Sequence, residues 1–305
     1  NRIHATFGLV SESDWSDHSG HGTHVAGSVL GNGAAYSNGL FSGAAPEATL
    51  VMQALGGLTG GGSVYPPDPI NLLFEQARTH GARIHTDSWG SSVFGQYTSN
   101  SRNVDEFMWD YDDMLVLFSA GNSGRDTNPV SGVIDSGSIG APGTAKNCLT
   151  VGAAESDRPS GSGGYSATIW GTGSWLVHYP TNPIRDDLIS TPWDGNNQGM
   201  AAFSSRGPCL DGRIKPDIVA PGTDIISCRS RATYAGTLWG TGSGVLGNSA
   251  SNLYTFSGGT SMATPLTAGA AGLARQYLGE VRGMTNPSAS LLKAQGRRFC
   301  VVLAG

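Results

Sequence analysis

A glycine pair, Gly258 and Gly259, followed by Thr260, Ser261 and a long run of small apolar residues constrains this chain more than any other stretch. The glycines permit a tight turn, and residues 262–278 have the composition of a buried helix that carries a proline near its start. Ser261 is therefore predicted at a helix N-terminus, where free N–H groups and the helix dipole favour developing negative charge. A nucleophilic serine needs such a position. The alternative is an ordinary serine that caps a helix.

Strand-like and helix-like segments alternate along the chain. This alternation predicts an α/β fold with three αβα layers around a mostly parallel sheet. The predicted strands are residues 49–55, 83–89, 114–120, 149–154, 203–205 and 218–227, and the predicted helices are 22–30, 68–80, 103–113, 262–278 and 287–294. Ligands of such folds bind beyond the carboxyl ends of the strands, where Trp89, Asn122 and the loop before Ser261 are expected.

Size and charge limit the classes of function. A chain of 305 residues fits one large domain, and the irregular composition of residues 157–200 suggests a surface insertion within it. A net charge of -5 with only 13% charged residues argues against nucleic acid as a partner. No apolar run reaches the ~20 residues of a membrane span. Four cysteines are too few for a disulfide scaffold, and Cys209 with Cys228 could either pair or remain free thiols.

Two further stretches join the serine stretch. Residues 21–27 read His-Gly-Thr-His-Val-Ala-Gly, and residues 119–124 read Ser-Ala-Gly-Asn-Ser-Gly. Together with Gly-Thr-Ser-Met-Ala-Thr-Pro at 259–265, and in this chain order, they resemble the three signatures of the subtilases. The resemblance extends from about residue 14 to about residue 292 and looks closest to the larger alkaline subtilases. It implies a secreted, monomeric serine endopeptidase that acts on proteins or peptides, with no nucleic acid or membrane partner.

The resemblance also assigns roles to three residues. Ser261 is expected to be the nucleophile, His21 the general base and then acid, and Asn122 the donor that stabilises the oxyanion with its side-chain NH2. A metal site on His21 and His24 is the alternative for the histidines, but no Glu lies between them and the metallopeptidase pattern is missing. His24 is expected to pack or bond inside the core. The alternative for Asn122 is a plain turn residue.

In the family the substrate lies as an extended strand between two segments of the enzyme. The residues that match those segments here are Ser88, Trp89 and Gly90 on one side and Gly60, Gly61 and Gly62 on the other. Backbone pairing of this kind implies broad specificity. Ala120 and Gly121 are expected to form one wall of the primary pocket, where small residues leave room for a large apolar side chain. Plain core packing is the alternative role for Trp89.

The third member of the triad is not found where the family places it, in an Asp-Thr/Ser-Gly turn that ends a buried strand well before the histidine. Only Glu12, Asp14 and Asp17 precede His21, and none follows an apolar strand. The chain is therefore expected to begin after the first catalytic strand and to be a poor enzyme. The alternative is that Asp14 or Asp17 swings in to complete the triad. The alternative function is an impaired subtilase fragment that only binds peptides. Catalysis needs no cofactor, whereas structural Ca2+ is left open by the resemblance, since no EF-hand-like loop occurs.

Three local expectations complete the sequence-based picture. The resemblance implies a cis peptide bond between Ala141 and Pro142. Met262, directly after the nucleophile, is expected to be a target of oxidation. Residues 295–305 are expected not to be a native end, because the glycine and the arginines after Ala294 interrupt a helical pattern.

Overall fold

A computed structural model describes residues 2–12, 14–35, 39–56, 63–156, 178–181, 199–232, 238 and 252–299. Gly60, Gly61, Gly62 and most of the predicted insertion at 157–200 lie outside these residues. The strands are β1 Ile3–Gly8, β2 Leu50–Ala54, β3 Ile84–Asp87, β4 Leu115–Ser119, β5 Leu149–Ala154, β6 Ile218–Pro221, β7 Ile225–Cys228 and β8 Tyr254–Ser257. The helices are α1 His21–Leu30, α2 Asn71–Thr79, α3 Ser99–Asp110, α4 Thr260–Glu280 and α5 Ala289–Phe299.

Two parallel sheets form the centre of the molecule. One has four strands in the order β3-β4-β5-β6, and the other is the pair β1-β2, while β7 and β8 form a separate antiparallel pair. Helices lie on both sides of the parallel strands, so the predicted three-layer α/β fold is confirmed. Within the described residues the two parallel sheets are not joined by backbone hydrogen bonds. A side-chain contact of 2.8 Å between Gln53 on β2 and His85 on β3 links them.

The four-stranded sheet carries the main core. All five residues of β4 are buried, as expected for a parallel strand that is covered by helices on both faces. Phe118 of β4 meets Phe74 of α2 at a ring-centroid distance of 6.4 Å, and Phe74 meets Phe107 of α3 at 5.2 Å. These rings attach α2 and α3 to one face of the sheet.

Helix α4 crosses the other face and contacts all four strands of this sheet as well as α1. Small residues let its backbone come close to neighbouring elements: a Cβ at Gly269 would lie 2.6 Å from the Cβ of Ala44. Because α1 begins at His21 and α4 at Thr260, the packing of the two helices carries both predicted catalytic residues on the first turns of neighbouring helices.

Several predicted boundaries are wrong for identifiable reasons. The N-terminal residues, for which no strand was predicted, form β1 because they pair with β2 in parallel. Residues 203–205, read as a strand, lie in turns. Helix α2 starts at Asn71 after Ile70, so Asp68 does not cap it. Helix α3 starts four residues earlier than expected, where the Thr98 hydroxyl accepts a hydrogen bond from the Ser101 N–H at 3.3 Å.

The C-terminal helix continues past the predicted break. Helix α5 runs through Gly296 to Phe299, so the interruption expected after Ala294 does not occur. A helix interior tolerates one glycine at a cost of about 1 kcal/mol, which packing against the rest of the fold can offset. None of the described helices combines the length and the apolar character that a bilayer span requires.

Candidate active site

Ser261 is the second residue of α4 and lies beside the end of β3. Its hydroxyl donates to the Ser88 carbonyl at 3.2 Å, and the Ser88 hydroxyl donates to the Ser261 carbonyl at 2.9 Å. Gly259 directly precedes the helix, and its φ of 136° suits only glycine. The structure thus places Ser261 at a helix N-terminus as predicted, and it ties the serine to the segment that follows β3.

Asn122 lies in the loop after β4, directly against the start of α4. Its Oδ1 accepts hydrogen bonds from the Thr260 backbone N–H at 2.9 Å and from the Thr260 hydroxyl at 3.0 Å. With Oδ1 held in this way, Nδ2 is turned outward beside Gly259, where an added Cβ would lie 3.2 Å from it. The side-chain amide is therefore oriented as a donor close to Ser261. The role of Thr260 in holding the Asn122 amide was not predicted from the sequence, although Thr260 is part of the Gly-Thr-Ser motif.

His21 is the first residue of α1, and its backbone N–H bonds to the Ser19 hydroxyl at 3.1 Å. Burial lowers the pKa of the His21 ring, and the Asp17 carboxylate opposes this effect. Because the pKa is lowered, the ring is neutral near neutral pH and can accept a proton. Among the hydrogen bonds of the described residues, none joins the ring to Ser261, whose hydroxyl donates to Ser88 instead.

His24 is fully buried one helical turn further on. Its Nε2 faces the carbonyls of Ile225 at 3.1 Å and Thr255 at 3.2 Å, so this nitrogen donates and is not available to a metal. Burial lowers its pKa to about 4. The prediction of a histidine bonded inside the core is confirmed. The described residues contain no group of three or more His, Cys, Asp or Glu side chains that could hold a metal ion.

The acids before His21 are engaged locally. Asp17 accepts from the backbone N–H groups of Ser19 at 3.2 Å, Gly20 at 2.9 Å and Thr23 at 2.6 Å, and so closes the N-terminus of α1. Asp14 accepts from Ser16 N–H at 2.8 Å, and hydrogen bonds from this loop lower its pKa to about 2. Neither carboxylate makes a hydrogen bond to the His21 ring in the described part of the chain.

The predicted substrate segment follows β3 and leads toward the loop around Ala141. Ser91 pairs with Ala141 through two backbone bonds of 2.8 and 3.0 Å, and a Cβ at Gly90 would lie 2.7 Å from the Ala141 carbonyl. Trp89 is only partly buried and packs its ring against Phe118 at 5.5 Å, so it contributes to the core as well.

Ala120 and Gly121 follow β4, and the Gly121 N–H donates to the Thr260 hydroxyl at 3.3 Å. Ala120 is fully buried, and its carbonyl accepts from Gly140 N–H at 2.9 Å. Gly121 has a φ of 104°, and a Cβ there would lie 2.9 Å from the Ser205 hydroxyl. This pair therefore forms a small-residue boundary next to Asn122, and a larger residue at 121 would be strained whatever its chemistry.

Other sequence-based expectations have clear outcomes. The Ala141–Pro142 peptide bond is cis, as predicted. Cys209 and Cys228 are free thiols, so the disulfide considered between them is absent; Cys209 packs with Ala120 and Ile139 instead. Met262 is fully buried, which removes its sulfur from solvent and argues against the expected oxidation.

The site brings together a serine at a helix N-terminus, an oriented amide donor and a histidine on an adjoining helix, which are the residue types that a serine hydrolase uses. A comparison with family models matches residues 10–294 to the subtilase family of peptidases. A serine protease/ABC transporter B family protein, tagD of Dictyostelium discoideum, is 31% identical over 94% of this chain and 18% of its own length. Serine protease AprX of Bacillus subtilis (strain 168) is 31% identical over 85% of this chain and 49% of its own length.

Solved structures agree with this assignment. Sphericase superposes with a TM-score of 0.55 at 25% identity over 92% of this chain and 69% of that one. The chain belongs to the subtilase family. It spans less than half of the length of the tagD and AprX relatives.

Proposed function

We propose that this chain is the catalytic domain of a serine endopeptidase that hydrolyses peptide bonds through an acyl-enzyme. In this proposal Ser261 attacks the carbonyl carbon, and His21 takes the hydroxyl proton and later passes it to the leaving amine. Ser261 then becomes acylated until water, activated by the same histidine, releases it. The observation that carries the proposal is the position of Ser261 at the N-terminus of α4, against Asn122.

Asn122 is assigned the oxyanion. Because Thr260 holds its Oδ1, the Nδ2 group is aimed at the space in front of the Ser261 backbone, whose N–H is the second donor. Two fixed donors favour the charge of the tetrahedral intermediate over the neutral carbonyl of the substrate. No cofactor takes part in this chemistry.

The substrate is proposed to be an extended protein or peptide segment. It pairs with the backbone of Ser88, Trp89 and Gly90 on one side, and with Gly60, Gly61 and Gly62 on the other. Backbone pairing accepts many side chains, and the small residues Ala120 and Gly121 leave room for a large apolar side chain before the scissile bond. The enzyme is proposed to be a monomer that acts outside the cell, as the membership in the subtilase family suggests. Structural Ca2+ remains a proposal that the family suggests.

Residues 1–305 by themselves are proposed to turn over slowly. In the part of the chain that the structure describes, Asp14 and Asp17 accept hydrogen bonds from nearby donors, and no carboxylate bonds to the His21 ring to fix its tautomer. Loss of the triad carboxylate lowers turnover by about 10^4 in serine peptidases, subtilisin included.

Hydrolysis of a chromogenic peptide tests both parts of the proposal. The unaltered chain is expected to show slow turnover that Ser261→Ala abolishes. Added formate should raise the rate by supplying a carboxylate to the His21 ring, whereas an equal concentration of chloride should not, and His21→Ala should not respond to either salt. Residual turnover in Ser261→Ala would contradict the nucleophile. Rapid turnover without formate would contradict the slow-enzyme proposal alone.

A further inference from the structure

Asp87 is a buried carboxylate at the carboxyl end of β3, and the proposed chemistry gives it no part. Only 3% of it is exposed. A buried carboxylate must be paired and hydrogen-bonded to be tolerated. Its Oδ1 accepts from the Trp89 indole N–H at 3.0 Å, and its Oδ2 faces the His85 Nδ1 at 2.8 Å. Both oxygens are thus held by side chains two residues away along the chain.

The surroundings of His85 fix the orientation of its ring. The Gln53 side-chain NH2 donates to the Leu73 carbonyl at 3.0 Å and to the Gln76 Oε1 at 2.8 Å. This leaves the Gln53 Oε1, an acceptor, facing the His85 Nε2 at 2.8 Å. The other ring nitrogen faces the Asp87 carboxyl group, so the His85 ring has a hydrogen-bond partner on each side. His85 and Asp87 therefore form a buried, hydrogen-bonded pair.

The His85–Asp87 pair lies directly beside the predicted substrate segment. Asp87 precedes Ser88, whose hydroxyl and carbonyl both bond to Ser261. The Trp89 ring that Asp87 holds by its N–H is held on its other side by Phe118, edge to face at 5.5 Å and 84°. The start of the segment is thereby fixed at two points, one at the nucleophile and one at the indole.

We propose that Asp87, through its hydrogen bonds to His85 and Trp89, is a positioning residue that sets the backbone of residues 88–90 for an extended substrate. The inference rests on the proposed function and deepens it. Asp87 touches neither the nucleophile nor the reacting bond, so it acts through Ser88 and Trp89. Its effect falls on the recognition of long peptides and leaves the reactivity of the Ser261 hydroxyl itself nearly unchanged.

Two substitutions separate charge from geometry. An asparagine at 87 can accept from the Trp89 N–H with Oδ1 and donate with Nδ2 to a neutral His85, whose Nε2–H still reaches Gln53. Asp87→Asn therefore keeps the contacts and removes the charge. Asp87→Ala removes both. The buried Trp89 indole N–H and the His85 ring then lose their partner, which destabilises the conformation of residues 88–90.

The labelling of Ser261 by two reagents measures the effect. One is a small alkyl fluorophosphonate, and the other is a peptidyl diphenyl phosphonate that needs the substrate segment. Asp87→Ala is expected to lower the ratio of peptidyl to small-reagent rate constants by about tenfold or more, and Asp87→Asn to keep it within about threefold. An unchanged ratio in a folded Asp87→Ala would overturn the proposal. If Asp87→Ala does not fold, His85→Gln is expected to lower the ratio in the same way, and an unchanged ratio there would overturn it equally.

The 15N NMR signals of the His85 ring provide a readout that does not depend on activity. The His85 Nδ1 signal of the unaltered chain should report a hydrogen bond to Asp87, and Asp87→Ala should shift that signal. The same Nδ1 signal in both proteins would overturn the inference. Failure of both reagents to label Ser261, with the Nδ1 hydrogen bond present, would instead contradict the proposed peptidase and leave the His85–Asp87 pair supported.

Discussion

Because the buried His24 ring is neutral in the folded state, the free energy of unfolding depends on pH, and the size of this effect can be calculated. The ring joins α1 to the β7–β8 pair, because its Nε2–H donates to the carbonyls of Ile225 and Thr255. Its Nδ1 has no hydrogen-bond partner among the described residues. Protonation would place a charge at a site with no solvent exposure, and burial accordingly lowers the pKa of His24 to about 4.

The sign follows from comparing the two states. The unfolded ring has a pKa near 6.5 and the folded ring a pKa near 4, so on acidification the unfolded chain takes up a proton first. The contribution of the neutral ring is complete above about pH 6.5 and is lost as the pH falls toward the folded pKa. The loss amounts to about 2 kcal/mol of unfolding free energy at pH 5 and has a ceiling of about 3 kcal/mol.

Urea unfolding at pH 7 and pH 5 measures this loss, with Ser261→Ala as the background so that self-digestion does not interfere. His24→Gln is the matched control, because its amide can donate to the same carbonyls but does not titrate. The free energy of unfolding should fall by about 2 kcal/mol more in the histidine protein than in the glutamine variant. Equal losses in both proteins would refute the reasoning.

Three further predictions follow from burial and geometry. Phe74→Ala should lower the free energy of unfolding by about 3–5 kcal/mol in chemical denaturation, because Phe74 is fully buried. Leu72→Ala, on the exposed side of the same helix, should lower it by under about 1 kcal/mol. Similar losses in the two variants would contradict the placement of Phe74 in the core. Peroxide should oxidise Met284, which is 44% exposed, well before the fully buried Met262. Peptide mass mapping measures the order of oxidation, and the reverse order would contradict the burial of Met262. Asn122→Ala should lower kcat by about 10^2–10^3 with KM nearly unchanged, a range taken from a subtilisin oxyanion-hole variant, and an unchanged kcat would remove Asn122 from the mechanism.

The sequence predicts well those features that local pattern determines. The apolar run around residue 117 predicts a fully buried strand, and β4 lies there. Gly259 and the small residues after it predict the turn and the helix that carry Ser261. The histidine stretch predicts α1 and the burial of His24. In each case the residues that form the element are also those that reveal it.

Features that depend on distant partners could not be predicted in the same way. The sequence of β1 has no clear strand pattern, because its side chains are only partly buried. It is a strand because β2 supplies its hydrogen bonds. The contact between His85 and Asp87 could not be predicted from the sequence, since the polar residues that end β3 do not indicate that Gln53 will hold the His85 ring. The orientation of the Asn122 amide likewise depends on Thr260, far along the chain.

The central claim is that Ser261 is a nucleophile activated by its place in the fold, and site mapping of a fluorophosphonate adduct tests it most directly. Mass spectrometry of the labelled and digested protein should locate one adduct per chain on Ser261, formed slowly and faster with formate present. The Ser261→Ala variant, folded to the same extent by circular dichroism, should carry none. An adduct on another serine, or equal labelling of the alanine variant, would contradict the account.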